Sequence, residues 1–207
     1  MRRSTTYLLV TAMALAVTST AVAGQAAAGG SVCAPRALSK PFAQFGDHND
    51  YFLVDAADFE TDGKGRGTHK SWNLPKKAKV ATDQSPWKVN GADHRKALEI
   101  GDDTTVTTPE VCVMVDEEFF RFFYKDPGKV GAALSVVVTA TSSIGTATNT
   151  WQVGSADKGW KVSPPIALPN VRGENGEQQI TISFTTSKGR EHKWLIDDLM
   201  IDPWRTR

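Results

Sequence analysis

The stretch WLIDDLMIDP, Trp194 to Pro203, decides the fold class. It reads as a β-strand, in which successive side chains point to opposite faces. Trp194, Ile196, Asp198 and Met200 then form one row, and Leu195, Asp197, Leu199 and Ile201 form the other. Both rows are apolar apart from one acid each. A strand apolar on both rows is an interior strand, and a carboxylate among such neighbours is costly unless it is paired or liganded. The segment therefore predicts a sheet and poses a question about its two acids.

The same period of two recurs along the chain. QQITISFTTS places Ile180, Ile182 and Phe184 on one face and Thr181, Ser183 and Thr185 on the other. TTVTTPEVCVMV (Thr104 to Val115) is β-branched and broken at Pro109, and FFRFFY (Phe119 to Tyr124) is aromatic on both rows. ALSVVVTATSS (Ala133 to Ser143) and TATNTWQV (Thr146 to Val153) complete the strong set, with YFLVDAADFE, WNLPKKAKV and KALEI weaker. Turn signals such as Asn90-Gly91, Asp126-Pro127-Gly128 and Glu174-Asn175-Gly176 separate them. Helical periodicity is hard to find after the first residues. Short strands at regular spacing predict an all-β antiparallel sandwich of about eight to ten strands, jelly-roll first and immunoglobulin-like second.

The first residues follow a different logic. Met1-Arg2-Arg3, then YLLVTAMALAV (Tyr7 to Val17), then Ala21-Val22-Ala23 is the layout of a secretory signal peptide. The apolar run is shorter than the roughly 20 residues a membrane span needs. The expected organisation is a leader at 1–23, a flexible segment at 24–31 and one domain at 32–207, a monomer with no membrane contact after export. Without Arg2 and Arg3 the chain has 22 basic and 23 acidic residues, net −1, which gives no ground for a nucleic-acid partner. Cys33 and Cys112 are expected to pair in an oxidising space, free thiols or a thiolate metal pair being the alternatives.

Asp58-Phe59-Glu60 is the partner expected for the acid pair. Asp58 and Glu60 lie two apart and share a face if that segment is extended. A glycine-rich stretch (Gly63, Gly65, Gly67) and Trp72 follow. DAADFE, the glycines, Trp72 and the far WLIDDLMID resemble the calcium-containing jelly-roll carbohydrate-binding modules, galactose-binding-like in fold. The chain also looks like secreted actinobacterial proteins that share this arrangement. The resemblance implies a structural calcium between the first and last strands of the domain. Calcium takes six to eight oxygens, and Asp58, Glu60 and Asp197 are the ligands it points to. Asp198, on the other row, then needs a further partner, Arg190 or solvent. The competing reading makes these acids turn caps or arginine partners.

Such modules bind sugars by laying flat aromatic rings against them. Trp72, Trp160 and Trp194 stand in strand context and read as core. Trp87, in the polar loop DQSPWKVNGADH, and Trp151, among Thr, Asn and Gln, are the candidate ligand platforms, with Tyr124 behind them. Arg121 shares a row with Phe119 and Phe123 and reads as a stacked cation or a partner of Glu118. No Gly-x-Ser-x-Gly, His-Glu-x-x-His or phosphate loop occurs, and the four histidines are scattered. The expected function is a secreted, non-catalytic glycan or cell-wall polysaccharide binder with a structural calcium. The alternatives are a glycan-active hydrolase or lyase on the same fold, and a cell-surface structural or protein-interaction domain.

Overall fold

In the computed structural model the described residues are 33–60, 71–114, 116–171, 173–189 and 192–203. The expected leader (1–23), the segment 24–31, the three glycines after Glu60 and Arg190 lie outside them. Among the described residues there are twelve strands: β1 (Phe52–Leu53), β2 (Ala78–Ala81), β3 (Ala97–Ile100), β4 (Thr105–Thr107), β5 (Val111–Met114), β6 (Glu117–Asp126), β7 (Ala133–Ser142), β8 (Gly145–Gly154), β9 (Gly159–Val162), β10 (Ile166–Ala167), β11 (Glu177–Thr186) and β12 (Trp194–Pro203). That exceeds the expected eight to ten because β1 and β10 are two-residue strands. A 3-10 turn, Ala43–Phe45, precedes β1. Pro109, which lacks the amide a ladder needs, separates β4 from β5, as the sequence predicts.

The strands form two antiparallel sheets packed face to face as a β-sandwich, the all-β antiparallel fold expected from the sequence. One sheet has seven strands in the order β10-β6-β12-β3-β2, with β9 on β6 and β1 on β12. The other has five, β4-β11-β7-β8, with β5 on β11. The period-two rows of the sequence become the facing layers. Leu134, Val136, Val138 and Ala140 of β7 and Ile180, Ile182 and Phe184 of β11 point inward. They meet Phe120, Phe122 and Tyr124 of β6 and Trp194 and Ile196 of β12. Phe122 sits at the centre, edge-on to Phe184 with ring centres 5.1 Å apart and to Trp151 at 5.9 Å.

The strict alternation expected for β12 does not hold. Asp197 stands opposite Phe123 and Met200 opposite Arg121, so Asp198 and Leu199 together face Phe122. This is a β-bulge, and Asp198 takes a left-handed conformation with φ 48°. The bulge inverts the alternation: Trp194 and Ile196 point into the core before it, Leu199 and Ile201 after it. Met200, expected in the row of Trp194, packs instead on the opposite face of the sheet with Phe123.

That opposite face is covered. The chain before β1 lies over it and supplies Phe42 and Tyr51, both buried, and Phe45. Phe42 packs on Tyr51 and Phe123 with ring centres 4.8 and 5.4 Å apart. Arg121 is buried here, its guanidinium 4.6 Å from the centre of the Phe42 ring. It pairs with Asp47 at 2.7 Å and donates twice to the Ser163 carbonyl, at 3.0 and 2.7 Å. Desolvation raises the Asp47 pKa, but hydrogen bonds from Tyr51 and Arg121 outweigh it and the carboxyl ends below its ordinary value. Arg121 is thus a stacked cation, as expected, but over Phe42 and with Asp47 in place of Glu118. At its start this cover is tied to the other sheet by the Cys33–Cys112 disulfide, with Cα atoms 5.5 Å apart. Arg36, paired with Glu117 at 2.6 Å, lies over the Phe52 ring.

Candidate functional site

The bulge gathers the acids. Asp197 and Asp198 are each 3% exposed. Asp197 Oδ2 accepts the Ser85 backbone N–H at 2.9 Å, and Asp198 Oδ1 accepts the Asn90 amide at 2.7 Å. No Lys or Arg pairs with either among the described residues. Asp58 and Glu60 come close enough to act on them electrostatically, but not by the geometry expected. Asp58-Phe59-Glu60 is not extended: Ala56 and Phe59 both have φ 54°, and the chain turns. The turn buries Phe59 against Trp72, ring centres 5.0 Å apart, while Trp72 Nε1 donates to the Asp55 carbonyl at 2.9 Å. Asp58 Oδ1 accepts the Glu60 N–H at 3.3 Å, and Glu60 Oε1 accepts the backbone amides of Arg95 and, at 2.6 Å, Lys96.

The electrostatics of this corner are unbalanced. Desolvation pushes Asp197 up to about 9, and the charge of Asp198 beside it adds to the shift. Desolvation likewise pushes Asp198 up to about 6; Asn90 and His94 lower it, while Asp58 and Glu60 raise it. Asp58 is also raised, mainly by burial. Like charges sharing a buried site resist ionisation together. A cation with oxygen preference would relieve all of them, so the donor set fits calcium in its chemistry. The fit in geometry is incomplete: among the described residues no three His, Cys, Asp or Glu side chains are gathered into a formed cage.

The candidate platforms separate. Tyr124 is 6% exposed and lies inside the sandwich between Phe122, Trp151 and Trp194. Trp151 is half-buried, turned inward from β8 with its edge toward Phe122 and Tyr124. Both are packing residues, because the inward row of β8 passes over the aromatic row of β6, and neither offers a flat face to a sugar. Trp87 is half-buried, stacked on Phe123 at 5.0 Å and edge-on to Phe45 at 5.1 Å. It is an anchor of the covered face with one margin open. Trp160 is also half-buried, its Nε1 donating to Asp83 at 3.2 Å. Trp72 and Trp194 are core, as expected.

The outer face of the five-stranded sheet is a second candidate surface, one without aromatic side chains. Register places Thr105, Thr185, Ser135 and Gln152 in one row across four strands, and Thr107, Ser183, Val137 and Thr150 in the next. Thr181, Thr139 and Thr148 form a third row, and Gln179, Thr141 and Thr146 a fourth. Every position is Thr, Ser or Gln except Val137, and none is charged. Neighbouring hydroxyls close on each other along the β4–β11 edge, Thr105 with Thr185 and Thr107 with Ser183, each at 2.9 Å. Among the described residues the hydroxyls of Thr181, Thr139 and Thr148 have no protein partner. The outward half of the period-two pattern carried this signal in the sequence.

No protein-family model matches the sequence, and no curated protein is similar to it. Solved structures are similar in fold. They include a module described as TmCBM61 in complex with β-1,4-galactotriose, 22% identical, with TM-score 0.37 over 63% of this chain and 86% of that one. The family 11 carbohydrate-binding module of Clostridium thermocellum in complex with a mixed-linked tetrasaccharide is 15% identical, with TM-score 0.43 over 76% of this chain and 98% of that one. CBM27-1 of Caldicellulosiruptor saccharolyticus in complex with mannohexaose is 13% identical, with TM-score 0.46 over 75% of this chain and 98% of that one.

Proposed function

We propose that this is an extracellular, non-catalytic glycan-binding domain whose ligand surface is the outer face of the five-stranded sheet. The observation that carries the reading is the uncharged grid of hydroxyl and amide side chains, with its central row unpartnered within the protein. Hydroxyls both donate and accept, so such a grid complements the hydroxyls of a neutral sugar chain without burying a charge. Thr methyls meet the C–H faces of the rings. Strand geometry repeats the grid at about 6.7 Å along each strand and about 4.8 Å across strands, which suits an extended chain. Calcium, in this reading, is structural. Asp58, Asp197 and Asp198 would hold it, with Glu60 beside them, and it would neutralise the corner where the residues after β1 meet the last strand. It would not touch the sugar. The buried acid pair is closed to a substrate, which disfavours a hydrolase or lyase built on it. The Cys33–Cys112 bond and the leader layout support export.

The test is affinity electrophoresis against a panel of neutral polysaccharides, run with wild type, Thr139→Glu and Thr181→Glu. At least one polysaccharide is expected to retard the wild type and to lose that effect in both variants. Retardation by none, or equal retardation of wild type and variants, overturns the placement.

A further inference from the structure

Strand β3 leaves the seven-stranded sheet at Ile100, and the chain crosses to the other sheet at β4. Beside that crossing lies a groove with a volume of about 420 Å³, lined by Lys76, Lys77, Lys79 and Lys193 together with Glu99, Asp102 and His192. A smaller hollow shares Lys76 and Lys77 with it and runs on past the exposed Asp103 to Thr104 and Thr105. Thr105 is the first residue of the hydroxyl grid. The groove and the grid are therefore consecutive along one path over the surface.

The ammonium groups are not used up within the protein. Glu99 is shared between Lys79 at 3.6 Å and Lys193 at 3.3 Å, and Asp102 meets Lys77 at 3.5 Å. The lysine side chains are exposed while Glu99 and Asp102 are half-buried, and Lys77 also donates to the Asp102 carbonyl at 3.2 Å; contacts this long at exposed ammonium groups contribute little. Lys76 is exposed and has no acidic partner among the described residues. Four ammonium groups against two carboxylates leave a net positive lining on a protein that is otherwise close to neutral. His192, 5% exposed, forms part of the wall, and its Nδ1 has no hydrogen-bond partner among the described residues. A lysine ammonium offers three donors and no acceptor, so the groove is complementary to an anion and not to a neutral sugar.

We propose that this groove is a subsite for the carboxylate of a uronic-acid residue, so that the chain bound along the hydroxyl grid is an acidic polysaccharide. The identity of the ligand as a sugar rests on the glycan reading above, while the charge of the groove stands apart from it. Lys76 and Lys193 are the residues that bind the carboxylate, with Lys77 and Lys79 completing the clamp. The neutral grid takes the sugar units that follow.

The test uses the full domain and three probes: oligoglucuronate, the same chains after carboxyl reduction to glucose, and linear polyphosphate. Titrations are read by calorimetry at low and at physiological salt. Oligoglucuronate is expected to bind about tenfold more tightly than the reduced chains, and more weakly at the higher salt because exposed charges are screened. Lys76→Glu and Lys193→Glu are expected to remove that tenfold advantage and to leave the reduced chains unaffected. Both side chains are exposed, and unchanged melting temperatures verify that the variants fold. Equal affinity for the two sugar probes, or an advantage that survives in both variants, overturns the subsite. Polyphosphate binding as tightly as oligoglucuronate, with the same loss in the variants, overturns the sugar assignment and leaves a phosphate site. If Thr139→Glu has no effect on the reduced chains while the lysine variants still lose the uronate advantage, the grid fails and the groove stands.

Discussion

The two sheets of this sandwich treat their outer faces in opposite ways. Across its middle strands β6 and β12 the seven-stranded sheet has both faces buried: Phe120, Phe122 and Tyr124 look inward, while Arg121, Phe123 and Met200 look outward onto Phe42 and Tyr51. The five-stranded sheet buries its inner row and leaves Thr, Ser and Gln in the open. In sequence the difference is visible residue by residue. FFRFFY is aromatic at every position but Arg121, whereas TISFTT alternates. A strand covered on both sides reads as a continuous apolar run, and one covered on one side alternates. The lesson is that the covered face consolidates the fold and the bare one is free to be a surface.

The strongest way to break this contrast is Phe123→Ala. The ring is fully buried beneath Phe42, Phe45 and Trp87. If the segment before β1 is part of the fold, the truncation costs about 3–5 kcal/mol, read from the midpoint of urea unfolding. A loss under about 1 kcal/mol would show that the segment merely lies on the sheet and that both outer faces are in effect bare.

The disulfide sharpens the same point. Cys33 opens the covering segment and Cys112 sits in β5 of the other sheet, 79 residues away. Replacing both by Ser removes a constraint on the unfolded chain and is expected to cost about 2–4 kcal/mol. Intact mass after alkylation without reduction checks the bond first, and two labelled thiols would contradict it.

Much of this was legible in the sequence, and the failures have physical causes. The period-two runs give the strands, Pro109 gives the break between β4 and β5, and the cysteines give the bond. Trp72 and Trp194 are legible as core from their apolar neighbours. The β12 bulge is not legible from alternation alone, because it places two successive residues, Asp197 and Asp198, outside the core between inward Ile196 and Leu199. Asp58-Phe59-Glu60 reads as extended because nothing local marks Ala56 and Phe59 for positive φ; the turn accompanies the burial of Phe59 against Trp72. Trp151 looks like a surface residue because its sequence neighbours are polar, but in a strand those neighbours lie on the other face; Tyr124 ends the aromatic run of β6 on its inward row. The Thr grid and the lysine groove exist only once register brings four strands and one crossing together.

The acid corner tests the contrast at intermediate size. Asp197 and Asp198 have folded-state pKa values raised above the ordinary carboxylate value, to about 9 and about 6. Raised groups hold protons that the unfolded chain releases, so their contribution is full below about pH 4 and is lost as pH rises through those values. Metal-free protein is therefore expected to melt at a lower temperature at pH 8 than at pH 5.5. Calcium at a hundred times its dissociation constant adds about 2.7 kcal/mol, roughly 5–10 °C for a domain of this size, and its effect grows with pH as the acids ionise. Asp197→Asn is expected to raise the metal-free melting temperature at pH 8 and to abolish the calcium response. Identical melting curves with calcium and with chelator at pH 8 would eliminate the metal site and leave a protonated acid pair.

The smallest expected effect is on the bare face. Thr139, Thr148 and Thr181 form the central row of the grid, and their hydroxyls make no hydrogen bond within the described protein. Replacing all three by Val keeps the β-branched shape and the strand preference. It removes three hydroxyls that the fold does not use. Surface substitutions of this kind fall within about 0.5 kcal/mol, so the urea midpoint should stay where it is, in contrast to the loss at Phe123. Retardation by a neutral polysaccharide should fall nonetheless, because a sugar hydroxyl placed against a methyl loses its partner. If the triple variant instead loses more than about 1 kcal/mol, those hydroxyls belong to a network within the fold. The two outer faces would then differ in polarity but not in role. If stability and polysaccharide retardation are both unchanged, the face is bare without being a binding surface, and Trp87 at the margin of the covered face becomes the next residue to substitute.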